Sequence, residues 1–500
     1  MASATMKVEI VSKETIKPSS PTPSNLTNFQ LSLLDQFFPA TYIHSILFYP
    51  VKNDTNQHVD VKKRCQDLKT SLSKTLTMYY PFAGRIKDHI SIDCNDEGAT
   101  FIETRVNCHL SDVLRNPNFD QFKEFQPLEV ELPAATGTCT LLFVQTNFFE
   151  CGGMAIGVRL VHKIADATTF MTFMKIWGSI AREADEVVHP ELFTGAILFP
   201  PVEYKFPSIA DVPLIRDESC VLKRLLFTAS NIDALKAKIA SAGVQQPTRV
   251  EAITALIWKC AMTASRSIKG TCSRPSSCTH AVNLRKRLST PLSEYSVGNI
   301  LTPITTEFSE TEIELQSFVL KLRKELKELK VNREEISDNM KKILETTSLG
   351  KGIGAVDAYT FSSWCRMPVY EADFGWGKPT WISFINFNVP NKASFVDTKE
   401  GDGIEAWVSL REDEMAIFEH NEELLSFASV NPIIQCGILK NPPQNLSYMW
   451  HKHTDKVIDR KLPSKVIIGD GKVHKLVQQL YLKQNCTKQG MRKHMESDDS

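Results

Sequence analysis

The chain has 500 residues, more than one hydrophobic core usually serves, so two domains are expected. Its 58 basic and 58 acidic residues cancel to a formal net charge of zero, which argues against nucleic acid or an anionic membrane as the main partner. Hydrophobic content of 42% beside 23% charged residues is an ordinary globular balance, and no apolar run is long enough to span a membrane. The 12 cysteines fall without CxxC pairs, so neither a zinc site nor a disulfide framework is indicated. No apolar core follows Met1, so a signal peptide is not expected; the thiols are read as reduced and the location as cytoplasmic. The sequons at Asn25, Asn53, Asn445 and Asn485 then carry no information.

Residues 8–15 read as a strand, ended by Lys17-Pro18-Ser19-Ser20-Pro21-Thr22-Pro23, because proline cannot donate to a ladder. Leu31-Ser32-Leu33-Leu34-Asp35 opens the packed body, and residues 45–49 form a short strand closed by Pro50. Val61, Cys65, Leu68, Leu72 and Leu76 recur near helical spacing and predict a helix over 61–79, stopped by Pro81-Phe82-Ala83-Gly84-Arg85. Strands at 90–94 and 100–106 flank the turn Asn95-Asp96-Glu97-Gly98. Strands and helices mix without a regular βαβ rhythm, which points to an α+β domain with a mixed sheet.

Two apolar runs, 141–149 and 154–161, join across Glu150-Cys151-Gly152-Gly153 and read as a buried hairpin. Its second strand delivers His162, and Asp166 follows four residues later. Phe170, Phe173, Met174, Trp177, Ile180 and Ala181 then form one apolar helical face. A histidine at the end of a rigid strand is well placed for chemistry. The plainer reading is an ordinary buried histidine and a helix N-cap, with Asp166 accepting from Thr168 or Thr169 N–H. The short H-x-x-x-D pattern does not decide between them.

Periodicity fades over 190–220, where Pro200, Pro201, Pro207 and Pro213 suggest an exposed crossover. A strand at 221–227 and a helix at 231–242, capped by Ser230 or Asn231, open the second half. Thr248-Arg249-Val250-Glu251 is a capping-box pattern before another helix. A strand ends in Ala281-Val282-Asn283-Leu284-Arg285, and 310–349 is a highly charged helical stretch read as a solvated helix pair. Asp373-Phe374-Gly375 invites a kinase reading, which fails for want of the other kinase motifs. Gly350-Lys351-Gly352-Ile353-Gly354 is weak as a phosphate loop. Segments 381–388, 394–397 and 403–410 read as late strands of the second domain.

His162-Lys163-Ile164-Ala165-Asp166 and Asp373-Phe374-Gly375-Trp376-Gly377, in this order and separation, resemble the two signature motifs of the BAHD acyltransferases of plants. The resemblance extends through Tyr80-Pro81-Phe82-Ala83-Gly84-Arg85, Ala281-Val282-Asn283-Leu284-Arg285 and Ser363-Trp364-Cys365-Arg366, over about residues 6–430, and is strongest to the alkaloid-acetylating branch. It implies an α/β (α+β, mixed-sheet) fold of two similar chloramphenicol-acetyltransferase-like domains with an active-site channel between them. The domains would be 1–195 and 220–430, joined by a crossover at 196–219. Ala167 stands where many relatives have Gly, a change the alkaloid branch shares. The basic stretch 431–500, with Pro442-Pro443 and His451-Lys452-His453, runs past the usual end and is read as a poorly ordered tail.

The resemblance further implies acyl-CoA as co-substrate, acetyl-CoA first, with no permanently bound cofactor and no metal. The implied acceptor is a small-molecule alcohol such as an alkaloid, and the enzyme a monomer. A hydroxyl is a poor nucleophile at neutral pH and needs a base with a pKa near working pH, which suits His162. Asp166 takes an orienting role, and Trp364 and Ser362 become the oxyanion donors. Asp373 is expected to pair with Arg285, with Gly375, Trp376 and Gly377 completing a structural motif. The helix opening at Thr248 would face CoA. Direct attack needs no acyl-enzyme, so Cys151 and Cys365 are read as core or lining residues. The competing readings are an amine, phenolic or sugar acceptor on the same fold, and a non-catalytic small-molecule binder.

Overall fold

The computed structural model describes residues 6–51, 60–127, 139–203, 219–270, 274–309, 314–339, 356–384 and 389–434. The described residues all lie in one compact unit, within Met1–Ile438. The glycine cluster at 350–354, Pro207 and Pro213 of the crossover, and residues 435–500 lie outside the described residues.

The hairpin read at 141–161 is the centre of a six-stranded sheet. Leu142–Phe149 and Met154–Val161 pair antiparallel, flanked by Ala99–Val106 on one side and Tyr42–Tyr49 on the other. Val8–Ile16 and Trp381–Ser383 form the edges. The Ala99–Val106 pairing with Leu142–Phe149 is parallel and the rest antiparallel, which is the mixed sheet expected. Val61–Met78 and Ala167–Ala181 pack on this sheet, and Trp177 Nε1 donates to Ser71 Oγ between them at 3.0 Å.

A second sheet has seven strands, in the spatial order Leu301–Phe308, Ser276–Asn283, Asp357–Ser363, Lys392–Asp397, Ile404–Arg411, Cys220–Phe227 and Ser429–Val430. Its two faces differ sharply in chemistry. Cys278, Tyr359, Phe361, Phe395 and Val408 bury themselves against helices Ala229–Ser241, Arg249–Lys269 and Leu315–Glu328. The register places Thr360 beside Lys392, Ser362 beside Ser394, Lys392 beside Ser409 and Ser394 beside Trp407 on the opposite face. Side chains alternate along a strand, so these polar groups share one wall.

Three expectations need correction. Segment 381–388 is not a strand of the second sheet: Trp381–Ser383 pairs with Tyr42–Tyr49 of the first. Its aromatic ring stacks on Phe48 at 5.3 Å, and its indole donates to Glu405 of the second sheet. An apolar triplet has no sequence label for which of two sheets it will join. The strands read at 90–94 and 100–106 are present but in different sheets: Ser91–Asp93 joins Asn28–Gln30 and Arg85–Ile86 in a small sheet, while Ala99–Val106 joins the large one. The helix after the first strand of the second half starts earlier, at Ala229, and Thr228 caps it by accepting from Asn231 N. Cys151 is exposed at the hairpin turn, not in the core.

Candidate active site

His162 leaves the Met154–Val161 strand on a short 3-10 turn, His162–Ile164. Its N–H donates to Thr41 O at 2.7 Å, which anchors the backbone to the neighbouring chain segment. The imidazole stacks on Phe38, with centroids 4.6 Å apart and planes 12° from parallel. Nδ1 lies 3.0 Å from Asn299 Oδ1. Asn299 Nδ2 donates both to His162 O at 2.7 Å and to Asp35 Oδ1 at 2.9 Å. Both those partners accept only, so the amide oxygen is the atom turned to the ring. Nδ1 therefore carries the proton and Nε2 keeps its lone pair. Burial pushes the imidazole below its ordinary pKa. The Asp166 charge raises it and the Lys392 ammonium lowers it further.

Asp166 is both an N-cap and half of an ion pair. Oδ1 accepts from Thr169 N at 2.9 Å, capping the helix Ala167–Ala181. Arg285 donates through both terminal nitrogens, at 2.6 Å to Oδ2 and 3.2 Å to Oδ1, and Ile300 N donates to Oδ2 at 3.2 Å. Arg285 also donates to Ser296 O at 2.8 Å. The carboxylate thus locks the turn that carries His162 to the segment that carries Asn299.

The expected pairing of Asp373 with Arg285 is not made. The strand Ser276–Asn283 delivers Arg285 to the start of the motif helix, where Asp166 takes it. Asp373 instead shapes its own turn: Oδ1 accepts from Gly375 N at 2.9 Å and Gly377 N at 3.0 Å. Gly375 sits at φ +100°, where a side chain would be strained. Phe374 meets Trp177 edge-on at 4.8 Å, Trp376 stacks on Phe374 at 5.7 Å, and Arg64 lies 5.1 Å over the Trp376 ring. The Asp373 backbone rests on Gly178, where a Cβ would come within 2.7 Å of its carbonyl oxygen. Gly178 lies about 16 Å along the helix from its first residue at 1.5 Å per residue. The glycine-rich motif is a docking element at the far end of the helix whose start carries the histidine.

Trp364 is 7% exposed, packed edge-on against Phe384 at 4.8 Å and near Phe170 of the motif helix at 6.2 Å. Ser362 is half-buried on the polar wall of the second sheet. Thr248 is exposed and occupied by its capping box: its N–H donates to Glu251 Oε2 at 2.8 Å and its hydroxyl accepts from Glu251 N at 3.2 Å. Arg323 holds the same Glu251. No contact among the described residues joins Thr248 to His162. Cys365 is half-buried, and burial pushes its thiol up to about 12. Among the described residues no group of His, Cys, Asp and Glu has the makings of a metal site.

A small cavity opens on the polar wall, bordered by Lys392, Ser394, Trp407 and Ser409 with Leu222 and Phe384. Trp407 Nε1 and Ser409 Oγ are buried there without a hydrogen-bond partner among the described residues. Sequence reasoning missed Lys392, Asn299 and Asp35. Only Asp35 left a trace, as the last residue of the capping pattern Ser32-Leu33-Leu34-Asp35. Asn299 lies in a loop without periodicity, and its contacts reach across more than a hundred residues.

The model of the transferase family matches residues 6–425. Akuammiline synthase 1 of Alstonia scholaris is 40% identical over 425 residues, spanning 84% of this chain and 97% of that protein. Salutaridinol 7-O-acetyltransferase of Papaver somniferum is 37% identical, spanning 84% and 98%. The crystal structure of vinorine synthase superposes with a TM-score of 0.74 at 37% identity, covering 85% of this chain and 99% of that one. The chain belongs to this transferase family, the BAHD acyltransferases, and is an acyltransferase.

Proposed function

We propose that the chain moves an acyl group, acetyl first among the candidates, from a CoA thioester to a hydroxyl of a small specialised metabolite such as an alkaloid. The observation that carries this reading is the 3.0 Å contact of His162 Nδ1 with Asn299 Oδ1, whose Nδ2 donates to two acceptors; Nδ1 is then the donor and Nε2 is left to accept a proton. The acceptor hydroxyl gives its proton to Nε2 as its oxygen attacks the thioester carbon. The tetrahedral oxyanion collapses, the C–S bond breaks, and the imidazolium returns the proton to the leaving thiolate. No enzyme nucleophile enters, in keeping with the raised pKa of the Cys365 thiol.

Asp166 acts by holding the loop and by its charge, since its oxygens are engaged by Thr169 N, Ile300 N and Arg285. Trp364 and Ser362 are the proposed donors to the oxyanion, and the helix end at Thr248 the proposed CoA-facing surface. The wall of Lys392, Ser394, Trp407 and Ser409 offers donors to oxygen functions of an acceptor. The name of salutaridinol 7-O-acetyltransferase supports a hydroxyl acceptor and an acetyl donor.

The test is incubation with acetyl-CoA and a panel of alkaloid and terpenoid alcohols, reading acetylated product and intact-protein mass. The proposal expects acetyl ester on at least one alcohol and no acetyl adduct on the protein. A kinetically competent acetyl-protein would replace direct attack, and N-acylation alone would replace the hydroxyl.

A further inference from the structure

Asp35 is a buried carboxylate, 4% exposed, in a four-residue helix that packs completely inside. Taking a charge out of water costs several kcal/mol per ion, and such a short helix does not need one. Two donors from Ser32 hold Oδ2, the N–H at 2.9 Å and the hydroxyl at 2.6 Å. Two donors from Asn299 hold Oδ1, the backbone N–H at 2.7 Å and Nδ2 at 2.9 Å. Lys163, the residue after His162, is also buried and donates from Nζ to Gln36 O at 3.0 Å, within the field of Asp35. The residues on both sides of the Asn299–His162 contact are thus fixed by one buried anion and one buried cation.

An amide beside an imidazole is ambiguous. Turned one way, it accepts from Nδ1–H; flipped, it donates to a bare Nδ1, and the proton moves to Nε2. A neutral histidine tolerates either. Burial raises the Asp35 pKa while the hydrogen bonds from Ser32 and Asn299 lower it; with all of these partners donating, the carboxylate has no hydrogen to offer, and together with His162 O it removes the ambiguity. Flipping Asn299 would set its carbonyl oxygen against Asp35 Oδ1 and against His162 O at once.

We propose that Asp35 is the positioning residue for the base: through Asn299 it enforces the Nδ1–H tautomer of His162 and keeps Nε2 unprotonated for the acceptor hydroxyl. This rests on the reading of His162 as base, and it assigns the tautomer to a carboxylate outside both signature motifs. Asp166 holds the loop; Asp35 sets which nitrogen works.

The test reads the tautomer directly, by the 15N shifts of the His162 ring in the full chain, beside steady-state thiol release from acetyl-CoA. Wild type is expected to show Nδ1–H. Asp35→Asn offers a flipped Asn299 oxygen an NH2 and leaves His162 O as the remaining acceptor that opposes the flip, so the ring is expected to become a mixture of Nδ1–H and Nε2–H. The turnover number is expected to fall, by up to about ten-thousandfold where the wrong tautomer takes over, with the acetyl-CoA KM unchanged. Should Asp35→Asn not fold, Asn299→Ala frees the ring from both and is expected to give mixed tautomers. An Nε2–H ring in the wild type overturns the proposal, as does an unchanged tautomer in Asp35→Asn. Thiol release surviving in His162→Ala would instead sink the base reading, and leaves the tautomer result standing by itself.

Discussion

Arg285 and Asp166 face each other as a two-pronged ion pair, at 2.6 and 3.2 Å, with both side chains 3% exposed. Removing one partner of a buried pair strands the other charge. Arg285→Met is therefore expected to cost about 3–5 kcal/mol of stability. The double variant Arg285→Met/Asp166→Asn should recover part of that loss, because the stranded charge goes with its partner. Denaturant midpoints of the two singles and the double check this; equal, additive losses would mean that the pair is not coupled.

The Asp373 turn answers to geometry in the same way. Gly178→Ala drives a Cβ to 2.7 Å from Asp373 O and 2.9 Å from its N, both backbone atoms that cannot swing aside. Gly375→Ala meets only ordinary contact, 3.7 Å from Arg182 Cβ, but strains a φ of +100°. The strain costs about 1–3 kcal/mol. Gly178→Ala should lower the melting temperature more than Gly375→Ala. In both, lost activity should track the lost folded fraction, since the turn sits far along the helix from His162. A turnover defect in fully folded Gly375→Ala would give the motif a direct part in the chemistry.

The pH profile tests the surroundings of the base. Deprotonated His162 is the working form, so kcat/KM should rise with pH and level off above the imidazole pKa. Burial lowers that pKa, so the acidic limb should lie below the ordinary histidine value of about 6.5. The facing charges are Asp166, which raises it, and Lys392, which lowers it. Lys392→Met removes the repelling cation and should move the limb to higher pH. An unmoved limb would show that the ammonium does not act on the ring.

Thr248→Ala separates a cap from a binding residue. The hydroxyl accepts from Glu251 N, so its loss should cost about 1 kcal/mol. If the helix end also faces CoA, the KM for acetyl-CoA should rise as well. A stability loss alone would confine Thr248 to capping.

Much of this was legible in the chain itself. The apolar runs around Glu150-Cys151-Gly152-Gly153 gave the hairpin, and the helical spacing from Phe170 to Ala181 gave the motif helix, because both are local patterns. Asp166 caps Thr169 N, as the plainer reading has it, and also takes the Arg285 that was expected to meet Asp373. What stayed hidden is long-range. Nothing local tells Arg285 which aspartate it will meet, Trp381 which sheet it will edge, or Asn299 that it will sit between Asp35 and His162.

The most direct test is acceptor-dependent thiol release from acetyl-CoA, measured side by side for wild type and His162→Ala at equal folded concentration. With His162 as the base, wild type releases thiol only when a hydroxyl acceptor is present, and the variant loses that release by at least about a hundredfold. Comparable release by both proteins would contradict the account at its centre.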